Sequence, residues 1–443
     1  MADTVRARMH GAIARARAFA APRDGRLSLR ANFSWTFVGN VVYAACQWGM
    51  LTALAKLGTP ELVGQFSLGL AVTAPVMMLA NLQLRAIQAT DARRDYEFAD
   101  YFALRLLTSG LALLVIAGIA LLSGYRAEMV AVILALGLYK GVQSIGDVYH
   151  GLMQGRERMD LISRALLLKG PLALLALALV FYLTRSVAWA GLALAVVYLA
   201  VLLAYERRNA RALLADEAPQ ALRPRWQLRR LAALSWLALP LGLVMMLISL
   251  NGNIPRYAIE RYLGQGELGI FAAMASLKVV GTTFVGALGQ SASPRLAAYY
   301  AEGDGAAFRR LLARLIAIGA GLGGLAVAVA AALGGPVLTL LYTPAYAQRI
   351  DVLIVLMVAA GMAFVASFLG YGITAARRFR QQIPLFAGVL AATAVATLVL
   401  VPAYGVMGAA LALVVSAVVQ CVLSALVVVR ALREGPADSP EEA

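Results

Sequence analysis

The chain alternates long apolar stretches with short polar connections from residue 31 almost to its end. A helix rises 1.5 Å per residue, so roughly 20 apolar residues span the hydrocarbon core of a membrane, which is about 30 Å thick. Since lipid offers no partner to backbone N–H and C=O groups, such stretches must be helices. The pattern predicts an all-α integral membrane protein with twelve transmembrane helices, at 31–56, 61–84, 102–123, 128–150, 161–183, 187–205, 231–252, 267–290, 311–334, 351–375, 383–401 and 405–429.

Composition supports the membrane assignment. Apolar residues make up 61% of the 443 residues, and charged residues only 14%. A water-soluble globule of this length needs more polar surface than that. The composition therefore excludes an ordinary soluble protein.

Basic residues are concentrated on every second connection between the apolar stretches. Most of the 39 lysines and arginines lie in the first 30 residues, after the even-numbered stretches and at the C-terminal end. Basic loops are retained on the cytoplasmic side, so this pattern predicts a multi-pass protein with both termini in the cytoplasm. The net charge of +16 is explained by this topology, and no nucleic-acid partner is expected.

Short matches indicate that the second half of the chain repeats the first. The matching positions are Leu57-Gly58 with Leu263-Gly264, Arg85 with Arg295, and Gly151 with Gly372, at offsets of 206, 210 and 221. Six crossings return the chain to its starting side, so the halves are predicted to be parallel repeats, as in many transporters. The predicted segments are a basic cytoplasmic arm 1–30, an N-terminal six-helix lobe 31–205, a cytoplasmic linker 206–230, a C-terminal six-helix lobe 231–429 and a disordered tail 430–443.

The fourth stretch carries polar residues that are costly in lipid. Lys140, Gln143, Asp147 and His150 recur at steps of three or four, which places them on one helix face. Lys140 lies about 18 Å along the helix from Glu128, near the bilayer centre, where a lysine costs roughly 2.5–3.5 kcal/mol. The face therefore points to a polar cavity. The alternatives are that a neighbouring helix neutralises Lys140, or that its side chain extends its charge to the membrane surface.

The first stretch has a similar polar face. Asn32, Thr36, Asn40, Tyr43 and Gln47 follow one another at steps of three or four. They can line a cavity, or they can form hydrogen bonds between helices, which are common in membrane bundles.

Further cations lie inside or beside other stretches. Lys278 is predicted well inside the eighth stretch. Arg256 is predicted at the outer mouth, where an i,i+4 pair with Glu260 is the alternative role. Lys169 is expected at a kink, and Arg105 is expected to extend its charge to the membrane surface. Cations inside the stretches outnumber acids, which favours an anionic, hydroxyl-rich cargo over a lipophilic cation.

Signatures of catalysis are missing from the sequence. There is no phosphate-binding glycine loop, and His10 and His150 offer no metal cluster. The sequence therefore predicts neither a cofactor nor an enzyme.

Several short runs of the chain resemble a known family. Runs such as Gly64-Gln65-Phe66, the segment from Gly151 to Arg156, and Ser293-Pro294-Arg295 are similar to those of the polysaccharide-transporter branch (repeat-unit flippases) of the multidrug/oligosaccharidyl-lipid/polysaccharide exporter superfamily. The resemblance implies two six-helix lobes around a central cleft, and the flipping of lipid-linked oligosaccharides across the bacterial inner membrane. Drug-exporting relatives often have an acidic residue in the first helix, where this chain has Asn32 and Asn40.

The residues and the resemblance together predict a flippase or exporter that moves an undecaprenyl-diphosphate-linked sugar repeat unit by alternating access, for surface polysaccharide synthesis. Its predicted partners are that lipid-linked oligosaccharide, membrane lipids and other polysaccharide-assembly proteins. A cation-coupled multidrug antiporter of the same superfamily and a membrane enzyme of glycan assembly are the alternatives. The predicted substrate-binding residues are Lys140, Lys278, Asn40, Gln47, Gln143 and Arg256, and the predicted coupling residues are Asp147 and His150.

Overall fold

The structure is a computed structural model that describes residues 29–91, 95–215 and 222–434. Within them, twelve helices are long and apolar enough to cross a membrane, as the sequence predicts. The predicted basic arm 1–30 lies outside the described residues except for Leu29 and Arg30, and the predicted disordered tail 430–443 lies outside them from residue 435 onward. Residues 430–434, predicted as tail, are the last residues of a helix instead.

The twelve helices are labelled α1 to α12 in chain order. Their bounds are α1 Leu29–Leu57, α2 Pro60–Thr90, α3 Phe98–Leu122, α4 Ala127–Gly155, α5 Met159–Thr184, α6 Val187–Leu213, α7 Leu228–Leu263, α8 Gln265–Ala301, α9 Gly305–Leu341, α10 Ile350–Ala375, α11 Gln382–Tyr404 and α12 Val406–Glu434. Two of them are interrupted: α2 at Leu82 and Gln83, and α8 at Leu277 and Lys278.

Helix α6 continues beyond the sequence-predicted end of the N-terminal lobe at 205. A π-helical turn, Leu202–Glu206, is followed by a further α-helical segment, Arg207–Leu213. The apolar run ends at Glu206, yet this side chain is completely buried because it pairs with groups inside the lobe. Residues 207–213 are therefore helical, although the sequence predicted them as linker.

The helices form two lobes, α1–α6 and α7–α12. In the first, α1 packs on α5 and α4 packs on α6; in the second, α10 packs between α9 and α12. We call the side of the bundle that carries Leu29 and Glu434 the basic face, because the arginine-rich connections lie there, and the other side the opposite face.

The repeated segments of the two halves meet at the opposite face. A Cβ atom added to Gly64 would lie 1.9 Å from the carbonyl oxygen of Gln265, and one added to Gly269 would lie 1.8 Å from that of Pro60. The two contacts are related by exchange of the halves, as expected for a pseudo-two-fold axis along the membrane normal. Only glycine permits this approach, so α2 and α8 close the opposite face with their backbones.

The lobes separate toward the basic face. In the opposite half of the bundle, one apolar core runs through both lobes, from Leu54 to Phe271 and Tyr342. In the basic half, the core divides into one cluster around Leu104 and another around Phe368. The bundle therefore contains a cleft that is closed at the opposite face.

The two sides of this cleft differ. On one side α7 stays against α2, where a Cβ atom on Gly242 would lie 2.9 Å from the carbonyl oxygen of Leu79. On the other side, α1 packs against the outer segment of α8, Gln265–Ser276, whereas the inner segment, Val279–Ala301, packs mainly on α9 and α10. The cleft therefore opens sideways between α1 and α8 in the basic half.

Candidate functional site

Amide and tyrosine side chains form a hydrogen-bonded cluster inside the N-terminal lobe. Tyr43 of α1 and Tyr198 of α6 share a hydrogen bond of 2.6 Å between their hydroxyl groups. Gln47 donates to Tyr198 over 3.0 Å, and Gln143 of α4 donates to Tyr43 over 3.2 Å. The polar faces predicted for the first and fourth stretches therefore meet.

Lys140 joins this cluster without an acidic partner. Its ammonium group donates to Gln143 Oε1 over 2.9 Å and lies 4.7 Å from the ring centre of Tyr139. In the described chain it forms no ion pair, so the alternative of neutralisation by a neighbouring helix is not what the structure shows. Lys140 is half-buried at the edge of the cluster.

Asn40 lies about one turn from Tyr43 toward the basic face. Its side chain is exposed, and no hydrogen-bond partner for it is found among the residues described. It is therefore free to meet a ligand in the basic half of the bundle.

The C-terminal lobe contains a second polar site, built around a cavity. Asn251 accepts a hydrogen bond from Thr393 over 2.6 Å and donates one to Ser416 over 3.0 Å. It lines a cavity of about 200 Å³ and also an adjoining cavity of about 420 Å³. Gln420 lines both, so the two cavities are continuous along the lobe interior.

Two cations of this lobe lack acidic partners. Lys278 stands at the break of α8 and lines the smaller cavity with its side chain exposed. Arg256 donates to Asn253 Oδ1 over 3.2 Å, and its charge repels that of Lys278. No ion pair between Arg256 and Glu260 is found in the described chain, so the rim-pair alternative does not apply.

The two predicted coupling residues have separate partners. Asp147 accepts from Arg85 at 3.2 Å, and that guanidinium group also donates to Gln154 over 3.0 Å. His150 is buried, with its Nε2 atom 2.6 Å from Glu206 Oε1. Among the described residues, neither side chain is hydrogen-bonded to the cluster around Lys140.

Two sequence expectations about charge are corrected by the structure. The predicted surplus of cations inside the stretches is reduced by Lys169, because its ammonium group lies 2.6 Å from Glu206 and is buried. Arg105 does not reach the membrane surface. It is completely buried and donates to Asn81 and to Ser144.

Sequence reasoning missed several functional candidates. Glu206 was taken as the start of the linker because it ends an apolar run. Tyr198 and Gln420 have apolar sequence neighbours that give no polar pattern, and Asn251 lies at the predicted end of the seventh stretch rather than inside it. A periodic face signals a site on one helix, whereas a site assembled from single residues of several helices has no such signal.

Three cations, Lys140, Arg256 and Lys278, thus face polar sites in the two lobes beside amide and hydroxyl groups. Cations inside the membrane are costly unless they face a cavity or a partner. The described residues hold no group of three His, Cys, Asp or Glu side chains that could bind a metal ion. The arrangement is suited to binding an anion with hydroxyl groups.

Comparison with known families decides the class of protein. The family model described as "Polysaccharide biosynthesis protein" matches residues 29–299. The chain belongs to this family. It also resembles the capsular polysaccharide biosynthesis protein CapF of Staphylococcus aureus, with 26% identity over 387 residues, which is 87% of this chain and 95% of CapF.

Solved structures share the fold. An inward-facing multidrug resistance MATE family transporter of the MOP superfamily aligns with a TM-score of 0.72 at 14% identity, over 91% of this chain and 100% of the transporter. The lipid II flippase MurJ in an inward closed conformation aligns with a TM-score of 0.69 at 10% identity, over 90% of this chain and 89% of MurJ.

The chain is therefore a multi-pass membrane protein of the polysaccharide-transporter branch of the multidrug/oligosaccharidyl-lipid/polysaccharide exporter superfamily. The solved structures that share its fold are a transporter and a flippase. The predicted fold and family are confirmed.

Proposed function

We propose that this transporter flips a lipid-linked oligosaccharide, an undecaprenyl-diphosphate-linked sugar repeat unit, across the bacterial inner membrane. Its basic face points to the cytoplasm, and both termini lie on that side. The cargo enters the cleft from the basic half and leaves after the lobes rock to open the opposite face. The names of the relatives, a capsular polysaccharide biosynthesis protein and a lipid II flippase, support this proposal.

The unpaired cation at the break of α8 carries the proposal. Lys278 stands in a cavity with no acidic partner in the chain as described, and Arg256 adds positive charge beside it. A diphosphate supplies the missing negative charge. Lys140 of the other lobe contributes to the same attraction, while Asn40, Gln47 and Gln143 bind sugar hydroxyls.

The sideways opening of the cleft fits a cargo with a long lipid tail. A diphosphate and its sugars need a polar path, whereas a polyprenyl chain is most stable in the hydrocarbon core. An opening between α1 and α8 lets the tail remain in lipid while the head group occupies the cleft. A water-soluble cargo has no need of such an opening.

Asp147 and His150 are proposed to carry the coupling proton, together with Glu206. His150 and Lys169 share one carboxylate, Glu206, so a change of protonation at the imidazole alters the charge balance of a buried group. The π-helical turn that ends at Glu206 is a feature often found at functional sites.

The proposal is tested with lipid-linked oligosaccharide in proteoliposomes that contain the purified protein. Lys278→Gln and Lys140→Gln are expected to insert normally but to lose most of the flipping rate. Lys278→Arg, which keeps the charge, is expected to retain part of it. Arg261→Gln is the matched control, because Arg261 is exposed near the opposite face and outside the proposed site.

Full flipping by both glutamine variants would contradict the assignment of the site. Export of lipophilic cations by wild-type protein that does not flip the lipid-linked oligosaccharide would instead favour the drug antiporter. Transfer of sugar by the purified protein would favour the enzyme.

A further inference from the structure

Three arginines converge on a cavity at the basic end of the C-terminal lobe. Arg295 lies one turn from Tyr299 on α8, and Arg310 lies one turn from Arg314 on α9. Together they line a cavity of about 220 Å³ between the two helices. We call the cavity lined by these four residues the arginine pocket.

The positive charge of the arginine pocket is not balanced within the described chain. No carboxylate lines it, and none of the three guanidinium groups has an ion-pair partner in the segments described. Asp304, which precedes α9, accepts instead from the backbone N–H of Ala307 over 2.8 Å. Arg310 and Arg314 lie one turn apart, and like charges at this spacing repel each other and destabilise a helix. An anion bound between them would relieve this repulsion.

The corresponding arginine of the N-terminal lobe is neutralised within the protein. With the repeat offset of 210, Arg85 of α2 corresponds to Arg295 of α8. Arg85 pairs with Asp147 at 3.2 Å, whereas Arg295 has no ion-pair partner among the described residues. Membrane topology requires only positive charge on this face. It does not explain why this arginine is paired in one lobe and unpaired in the other.

The arginine pocket is separate from the cavity of the proposed transport site. Gly286 lines that cavity and precedes Arg295 by about two and a half helical turns, so the two residues lie on roughly opposite sides of α8. An occupant therefore reaches the pocket from the membrane beside α8 and α9, at the level of the basic face.

We propose that the arginine pocket binds the phosphate head group of an anionic phospholipid. Guanidinium groups match phosphate oxygens with paired hydrogen bonds, and the Tyr299 hydroxyl can donate another. Basic pockets between transmembrane helices at a membrane surface are known to recognise anionic lipid head groups. The bound lipid bridges α8 and α9 beside the sideways opening of the cleft.

Native mass spectrometry of the purified full chain tests this proposal, with phosphatidylglycerol as the probe and phosphatidylcholine as the zwitterionic reference. The variant Arg295→Gln/Arg310→Gln/Arg314→Gln removes the pocket charge. Arg309→Gln/Arg430→Gln/Arg433→Gln is the matched control, because it removes the same charge from exposed residues outside the pocket.

One tightly retained phosphatidylglycerol is expected in the wild type and in the control. Each arginine near an anionic surface contributes about 5-fold in affinity, so the pocket variant is expected to bind on the order of 100-fold more weakly. The single change Arg310→Asp, which places a negative charge in the pocket at an exposed position, is expected to weaken binding at least as much as Arg310→Gln.

Equal losses in the pocket variant and the control would overturn the proposal, since binding would then follow net charge alone. Equal retention of phosphatidylcholine would overturn it as well. So would displacement of phosphatidylglycerol by undecaprenyl phosphate at lower concentration, because the pocket would then belong to the cargo. These outcomes concern lipid binding and leave the flipping assay of the proposed function unaffected.

Discussion

The two lobes share their helix arrangement but hold charge in opposite ways. All buried charged side chains of the described residues belong to the N-terminal lobe, namely Asp100, Arg105, Asp160, Lys169 and Glu206. The C-terminal lobe buries only amide and hydroxyl groups, among them Asn253, Thr393 and Ser416. Its charged side chains are exposed or partly exposed, among them Lys278 and the Arg349–Glu267 pair.

This difference separates charges that hold the structure from charges that await a ligand. A charge buried in a membrane protein needs a partner, and the buried charges of the N-terminal lobe have partners within the protein, including Arg230 of α7 for Asp100. Lys278 of the C-terminal lobe has no acidic partner within the part of the chain that is described. The buried charges of the N-terminal lobe therefore hold the structure, while Lys278, like Lys140 at the edge of its cluster, is free to meet a molecule from outside.

The largest effect on stability is expected from Glu206→Leu. It leaves Lys169 buried without its carboxylate, and breaking a buried pair in this way costs roughly 3–5 kcal/mol. Unfolding of the purified protein in detergent, followed by tryptophan fluorescence, measures the loss. The double change Glu206→Leu/Lys169→Met removes both charges and is expected to restore most of the stability. A single variant as stable as the wild type would contradict the view that this pair supports the N-terminal lobe.

A smaller effect is expected from Asn251→Leu in the C-terminal lobe. It removes hydrogen bonds to Thr393 and Ser416, and bonds of this kind between membrane helices average about 0.6 kcal/mol each. The expected loss is therefore about 1 kcal/mol in the same unfolding measurement. Asn40→Leu is the control, because no partner is found for Asn40 in the described chain. If Asn251→Leu lowered the free energy of unfolding as much as Glu206→Leu does, the proposed difference in how the two lobes are stabilised would be contradicted.

The smallest effect on stability is expected from Lys278→Met. The lysine has no acidic partner to lose, so the variant is expected to be as stable as the wild type or slightly more stable, since an unpaired cation within the membrane is unfavourable. Flipping of lipid-linked oligosaccharide by the same preparation is expected to fall strongly. Clear destabilisation with normal flipping would contradict this prediction. Lys278 would then have a structural role, like the buried charges of the N-terminal lobe.

Much of the fold could be predicted from the sequence because a membrane leaves a helix few alternatives. The twelve apolar stretches gave the helices, and the matches of Gly58 with Gly264 and of Arg85 with Arg295 gave the repeat. The ends of helices were predicted less well. Helix α6 passes Glu206 and reaches Leu213 because Lys169 neutralises that glutamate, and nothing in the local sequence near Glu206 indicates this pairing.

The candidate site could be predicted only in part. The polar faces of α1 and α4 were each predicted from their own helix, and only the structure brings them together, since Gln143 donates to Tyr43. The predicted surface position of Arg105 was wrong, because its partners Asn81 and Ser144 lie on two other helices. The sequence indicated Lys140, Lys169 and Lys278 alike as cations within the membrane. It could not show that Lys169 is paired with Glu206.

The sequence by itself determined the number of helices, their repeat and the side of the membrane on which the basic connections are predicted to lie. These properties depend on hydrophobicity and charge summed over many residues, which local changes do not alter. Only the tertiary structure decided which cations are paired and which are free. Pairing depends on contacts of a few ångströms between helices that are far apart in the chain. A lysine is therefore a structural partner at one position, as Lys169 is, and a candidate ligand-binding residue at another, as Lys278 is.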